Sequence, residues 1–414
     1  TASHAASGSN YRVTVLATDR FYNIQSATDT AVFVDTPDPY DVHPATVALS
    51  GGTTTFDVVF RTATSDPDVP RGPWFVRSAT ATSSILQEYQ TGSVIVDAGQ
   101  AVKLLVVSPG TSHEPGSSLG YTGTVSTQSA GSNFTVTVKV VDQYNNRNLT
   151  APANIGLASN DPHDETRLLQ AQSTTEGKAQ FTGALLRTVN RAGDSLPAYS
   201  PQGWVISAST TAGTLYTPGF CAPVPTTGGQ ATRLMVLMPG EALDEGNVTT
   251  GGKNLANPPS TLRAGTTYTA IINATDDSYN VDTTTSVEVN LSFNPSEQMY
   301  DDPYATAPVT TNRLIAGTTT FDVVFFIGES TSTNGPKGTR ILVSASTNAV
   351  SSVESSSVSV TFAAIGSTKL QILIPEEKIA PGKPPYDSGL SGGGNGLAAG
   401  GKDQSAGASN QSAG

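Results

Sequence analysis

Acidic side chains are the residues here best placed to do chemistry, and they recur in a pattern. Asp38 and Asp41 bound the run Asp38-Pro39-Tyr40-Asp41. Asp161 and Asp164 bound Asp161-Pro162-His163-Asp164, and Asp276-Asp277 close an alternating apolar run. Calcium takes about six to eight oxygen ligands, often from loops of this type. Asp38, Asp41, Asp161, Asp164, Asp276 and Asp277 are therefore candidate calcium ligands. The strict ligand spacing of a calcium loop is absent, and an Asx-Pro turn with a solvated acid accounts for the same residues. The four histidines, His4, His43, His113 and His163, fall in expected loops without a Cys or second His at zinc-ligand spacing. There is no phosphate loop. The expectation is a protein that is not an enzyme and carries no cofactor beyond calcium.

The elements that hold these acids are short and alternating. Tyr11, Val13, Val15 and Ala17 lead to Asp19. Phe134, Val136, Val138 and Val140 lead to Asp142, and Tyr268, Ala270, Ile272 and Ala274 lead to Asp276. Period two over this length predicts a strand with one buried face. Four residues beyond each Asp stands an Asn (Asn23, Asn146, Asn280), which predicts a shared turn in which Asn accepts positive φ. An Asx-Pro-x-acid corner follows, its third copy read as Asn294-Pro295-Ser296-Glu297. Gly52, Gly177 and Gly317 then each precede a further alternating strand: Phe56, Val58, Phe60; Phe181, Gly183, Leu185; Phe321, Val323, Phe325. A last strand carries Trp74-Phe75-Val76, Trp204-Val205-Ile206 and Arg340-Ile341-Leu342. Each cycle opens on a basic residue, an apolar run and a proline: Lys103 to Pro109, Arg233 to Pro239 and Lys369 to Pro375. The period is about 130 residues.

Composition narrows the classes. The chain has 414 residues and a formal net charge of −12, which speaks against a nucleic-acid partner. No apolar run approaches the roughly 18 residues of a membrane span, so no membrane insertion is expected. Abundant Thr, Ser, Gly and Pro with β-branched runs predict an all-β protein. Cys221 is the one cysteine, so no internal disulfide forms; it is read as a half-buried loop residue. The chain starts at Thr1 without Met, which points to a processed product or a fragment.

The opening runs, the strand into Asp-x-x-x-Asn, and the Gly-Thr-Thr-Thr-Phe-x-Val strand resemble tandem Ig-like repeats of bacterial surface proteins, broadly similar to invasin and filamin sandwiches. The resemblance implies an extracellular or cell-surface stalk, adhesin or filament and no chemistry. The expected fold is all-β: three tandem Ig-like antiparallel β-sandwiches, over 1–102, 103–232 and 233–368, with a C-terminal strand and Gly/Ser-rich tail over 369–414. Longer loops at 61–73 and 187–202 are candidate binding surfaces for host or matrix glycans.

The two ends of the chain are the most informative part of this reading. The first unit is expected to start at its second strand, lacking an opening strand, while the tail begins a unit it does not finish. Leu370, Ile372 and Ile374 alternate on one side of the tail strand, and Tyr11, Val13 and Val15 line the incomplete first sandwich. The complementarity predicts head-to-tail joining of copies by strand addition. A window of a longer array, or closure of the tail onto its own first unit, gives the same ends. The rival expectation is an adhesin or carbohydrate-binding ectodomain fragment of a longer repeat protein.

Overall fold

Alternating β-branched and aromatic residues between Gly- and Asx-rich turns leave the chain little choice but sheet. The computed structural model describes residues 3–26, 29–81, 86–164, 169–190, 203–293, 302, 304–328, 341–347, 349–355, 359–361, 377–379 and 402–404. Every regular element among them is a strand. The chain divides into two compact units, one of residues 1–186 with 190–227, the other of 187–189 with 228–414.

The first unit contains two repeats, each with its own apolar core. In the first repeat Asn10–Leu16 pairs antiparallel with Thr53–Val59. A four-stranded sheet faces it, in the order Val47–Ala48, Ala31–Asp35, Arg77–Thr80, Tyr89–Gln90. Val34, Phe56, Val58, Phe60, Trp74 and Val96 pack between them. In the second repeat the corresponding sheet has three strands: Lys178–Ala184, Phe134–Val141 and Lys103–Val107. Opposite lie Gln172–Ser173, Asn154–Ser159, Ile206–Ala212 and Gly219–Phe220, around a core centred on the fully buried Trp204, Phe181 and Ile155. Each such side chain contributes roughly 1.5–3 kcal/mol by leaving water.

The second unit repeats the second pattern. Arg233–Leu237, Thr267–Thr275 and Thr318–Val324 form one sheet. Thr311–Arg313, Glu288–Ser292, Leu342–Ala345 and Val353–Glu354 form the other. Ile272, Phe321, Phe325 and Leu262 fill the core between them.

A parallel pair flanks each repeat: Ser3–Ala6 with Val94–Asp97, Gln128–Ser129 with Thr226–Thr227, and Leu262–Arg263 with Val360–Thr361.

The recurrent glycine has a steric cause. Gly177 has φ +65°, and a Cβ there would lie 2.1 Å from the Asn148 carbonyl. Gly52 and Gly317 meet the carbonyls of Gln25 and Asp282 in the same way, so only glycine fits beneath the Asx turn.

Several expectations need correction. A bulge between Phe134 and Val136 shifts the register against Lys178–Ala184. Ala184 and Leu186, not Gly183 and Leu185, therefore face the core. Ile341 is bonded by Ser355 as Ile206 is by Cys221, so Ile341 matches Ile206 and Val76. The third counterpart of the tryptophans is thus residue 339 rather than Arg340; both lie outside the described residues. The third corner is Asp302-Pro303-Tyr304, where Asp302 receives the Tyr304, Phe326 and Ile327 amides. The expected corner at 294–297 lies outside the described residues. The first repeat begins not at its second strand but with Ser3–Ala6, the counterpart of Gln128–Ser129. Cys221 is buried in the second core, where it accepts the Ile206 amide, and burial pushes its thiol pKa up.

Candidate functional site

The site begins at a sheet edge. In the second repeat the opening strand covers the central strand in the register Lys103↔Val141, Leu104↔Val140, Leu105↔Lys139, Val106↔Val138, Val107↔Thr137. The third repeat copies it: Arg233↔Thr275, Leu234↔Ala274, Met235↔Asn273, Val236↔Ile272, Leu237↔Ile271. Both place the basic residue opposite the residue before the turn Asp. In the first repeat the equivalent edge, residues 14–18, has no paired strand among the described residues. The consequence shows in the core. Tyr11, Val13 and Val15 are only half-buried, whereas Val136, Val138, Ala270 and Ile272 are sealed. Leu16 on the same strand is 46% exposed. Leu370, Ile372 and Ile374 lie outside the described residues. Beyond them Glu377–Ile379 pairs antiparallel with Lys402–Gln404. Counted from the basic residue, Glu377–Ile379 stands where Thr111–His113 pairs with Tyr121–Gly123 in the second repeat.

Next to this edge lies the Asp-x-x-x-Asn turn. Asp142 Oδ1 accepts the amides of Tyr144 and Asn146, and Asn146 Nδ2 donates to Asp142 Oδ2. The positive φ falls on the residue before the Asn (Tyr22, Asn145, Tyr279) rather than on the Asn itself. In the second repeat the turn reaches across to the first. Asn146 Oδ1 accepts the Ala63 amide at 2.8 Å, and its Nδ2 donates to the Arg61 carbonyl at 2.8 Å. Asp142 Oδ2 also accepts the Ser7 hydroxyl and the Gly99 amide. Within the second unit Asn280 repeats the bonds with the Val189 amide and Arg187 carbonyl, and Asp276 takes the Gly229 amide. In the first repeat, among the described residues, the turn keeps only its local bonds, from the Phe21 and Asn23 amides and the Asn23 side chain to Asp19. The Asn23 side chain, followed by the two amides, holds the Asp19 carboxyl below its usual range. Phe21, Tyr22 and Ile24 stand 67%, 77% and 54% exposed. Arg147 and Val281, the counterparts of Ile24, are buried.

The loop at 61–73 is not a free binding surface. Thr62, Ala63 and Asp66 are buried against the second repeat. A Cβ on Gly116 would fall 2.2 Å from Thr62 Oγ1, so the two repeats touch through glycine. Two carboxylates there face three cations. Arg147 binds Asp66 at 2.8 Å and Asp68 at 2.7 Å, Lys139 lies 3.3 Å from Asp66, and Lys178 lies 2.8 Å from Asp68. His113, on a strand and buried rather than in an open loop, donates from Nε2 to the Asn145 carbonyl at 2.7 Å. Its Nδ1 lies 3.2 Å from Asp66. Burial by itself would raise the Asp66 pKa. The His113 contact and the Lys139 and Arg147 charges outweigh it and hold the carboxyl well below the usual range. Burial pushes Lys139 down. No local sequence signal marks this cluster, because its members lie on separate strands and loops.

The acidic candidates do turn and anchoring work. Asp38 accepts the Tyr40, Arg61 and Thr62 amides and the Thr62 hydroxyl. Asp41 accepts the Thr36 hydroxyl and lies 3.2 Å from His43; burial raises its pKa. Asp161 accepts the His163 amide, and Asp164 the Ser159 amide and hydroxyl. Asp277 is held low by the Thr232 hydroxyl and then by Arg233. Among the described residues no three His, Cys, Asp or Glu gather as a metal-holding group. A groove of about 970 Å³ opens between the first two repeats, with Tyr40, Tyr121, Tyr144, Arg61 and Glu114 in its walls.

No protein-family model matches the chain, and no curated protein matches it. Among solved structures, extracellular domains 3–5 of Drosophila OTK share 9% identity, cover 87% of this chain and 94% of that one, and give a TM-score of 0.21. The N-terminal eight Ig domains of DSCAM share 9% identity over 86% of this chain and 34% of that one, with a TM-score of 0.23. The apo β-glucuronidase 3 of Bacteroides uniformis shares 10% identity over 56% of this chain, which spans 23% of the enzyme's length; the TM-score is 0.19. No helix among the described residues is long and apolar enough to cross a membrane.

Proposed function

We propose that this chain is a non-catalytic structural ectodomain of the cell surface. In this reading three tandem Ig-like sandwiches, 1–102, 103–232 and 233–368, carry a donor tail, 369–414. Copies join head to tail when the tail strand of one completes the first sandwich of the next. The observation that carries the proposal is the open edge at 14–18 beside half-buried Val13 and Val15. Both internal opening strands give the register: Lys369 opposite Thr18, Leu370 opposite Ala17, Gln371 opposite Leu16, Ile372 opposite Val15. Their counterparts Leu104 and Val106 are buried. Sealing Leu370 and Ile372 in the same way would contribute roughly 3–6 kcal/mol, at ~1.5–3 kcal/mol per side chain. Such a contact uses different faces of the two copies, so it propagates into a filament rather than closing. Acidic composition fits an exposed role without nucleic acid. Calcium has no part in the joint, because the acids near it are engaged by backbone donors.

The test is electron microscopy and sedimentation of the chain beside Ile372→Asp. Filaments from the parent and monomers from the variant are expected. Monomers from both, with the edge at 14–18 protected from hydrogen exchange, would refute strand donation.

A second reading is a glycan-binding adhesin. The groove between the first two repeats favours it, because its three tyrosines offer stacking faces and Arg61 and Glu114 offer polar partners. Binding of monomeric Ile372→Asp to a glycan array, lost on Tyr121→Ala, would support this reading.

A further inference from the structure

Strand donation fills an edge but leaves the turn at 19–25 bare, and that turn is built to be covered. In the second and third repeats most of the same turn is buried, with Asn146 and Asn280 at 0% exposure. Both asparagines use the side-chain oxygen and nitrogen on a loop two residues apart: the Ala63 amide and Arg61 carbonyl, and the Val189 amide and Arg187 carbonyl. In the first repeat the whole of 21–26 is exposed, and Phe21, Tyr22 and Ile24 present apolar surface beside the open edge.

The chain also carries the matching loop. Asp38 positions residues 61 and 62 by accepting both their amides. Asp302, in the same Asp-Pro-Tyr sequence, accepts the amides of Phe326 and Ile327. Gly328 thus stands where Ala63 stands.

We propose that the Asp19–Asn23 turn is a second docking element, and that it takes residues 326–328 of another copy of this chain. Asn23 Oδ1 accepts the partner copy's Gly328 amide, and Asn23 Nδ2 donates to its Phe326 carbonyl. Ile24 is covered as Val281 is. The inference rests on the head-to-tail reading and adds to it: the copy that donates the strand also presents the loop. The joint between copies is then a repeat of the joint between the first two repeats, and its geometry is set by the same two side-chain bonds.

The experiment combines two readouts. Leu16→Cys with Gln371→Cys reports the strand, because the matching pairs Lys139↔Leu105 and Asn273↔Met235 are directly opposed and opposed strand residues fall within disulfide reach. Asn23→Ala, and separately Ile24→Lys, report the turn through the lowest concentration at which polymer sediments. Removing two hydrogen bonds should raise that threshold roughly 5- to 150-fold, with the intercopy disulfide still forming above it. A threshold moved less than twofold by both variants, with the disulfide intact, would overturn the docking of the turn and leave strand donation standing. Absence of any intercopy disulfide in the Asn23 background would overturn both. Melting of the first unit should be unchanged in Ile24→Lys, whose side chain is exposed, and lowered by a few degrees at most in Asn23→Ala, which gives up the exposed Asn23–Asp19 bond.

Discussion

Asp66→Asn is the sharpest test of the joint between the first two repeats. The substitution keeps shape and removes one of the two carboxylates that the buried Lys139 and Arg147 share, leaving Asp68 as their remaining counter-ion. Breaking a buried pair from one side costs about 3–5 kcal/mol when the charge left behind is desolvated, and Asp68, still 2.7 Å from Arg147, keeps the cost toward the lower end. In a unit of this length each kcal/mol moves the midpoint by about 2–4 °C. The expected drop in the first unit's melting temperature is therefore roughly 6–20 °C by calorimetry. The effect should persist at high salt, since buried pairs are poorly screened. Acid supplies an independent check. The folded Asp66 carboxyl lies below its unfolded value of about 3.9. A depressed carboxylate pKa contributes stability that is fully present above the unfolded value and is lost as pH falls toward the folded one. The parent should thus lose its margin over Asp66→Asn below about pH 4. A shift under about 2 °C at neutral pH, or equal acid sensitivity in both proteins, would refute the assignment of this cluster as the lock of the joint.

Other outcomes follow from the same structure. Gly177→Ala should destabilise the first unit by about 1–3 kcal/mol in urea unfolding, given the positive φ and the Asn148 carbonyl in the way; a neutral result would show that the turn can yield. Millimolar calcium or a chelator should leave the melting temperature within about 1 °C, because Asp38 is engaged by four donors. A rise of several degrees on adding calcium would restore the ligand reading. Cys221 should resist alkylation in the folded state and react on unfolding, as a buried thiol with a raised pKa does; rapid native labelling would contradict its burial.

The sheet architecture was legible because alternation has a physical cause that acts locally: a strand with one buried face repeats every second residue. The recurrent glycine was legible too, since a positive φ beneath a turn excludes other residues. Gly183 misled because a bulge in its own strand, between the pairs Val136↔Phe181 and Phe134↔Ala184, shifts the inward face by one position. Asp302 was missed for a similar reason. Its Pro-Tyr context copies Asp38 closely, but more residues separate it from Glu288–Ser292 than separate Asp38 from Ala31–Asp35. His113 and Asp66 could not have been joined in advance, because 47 residues separate them and their contact exists only after two repeats pack. The acids at 38, 161 and 276 were legible as recurrent, and each accepts backbone amides of its own turn.

The parallel pair at the flank of each repeat has a mechanical consequence. Ser3–Ala6 enters near one end of the first repeat and Val94–Asp97 leaves near the other, and they run side by side in the same direction. Tension applied through the backbone pulls these neighbours in opposite senses along their length. Their ladder is then loaded in shear, where bonds must fail together, instead of being unzipped one by one. Gln128–Ser129 with Thr226–Thr227 and Leu262–Arg263 with Val360–Thr361 repeat the pairing, but there the opening strands Lys103–Val107 and Arg233–Leu237 come first, so in those repeats a pulling force loads the opening strand before it reaches the clamp.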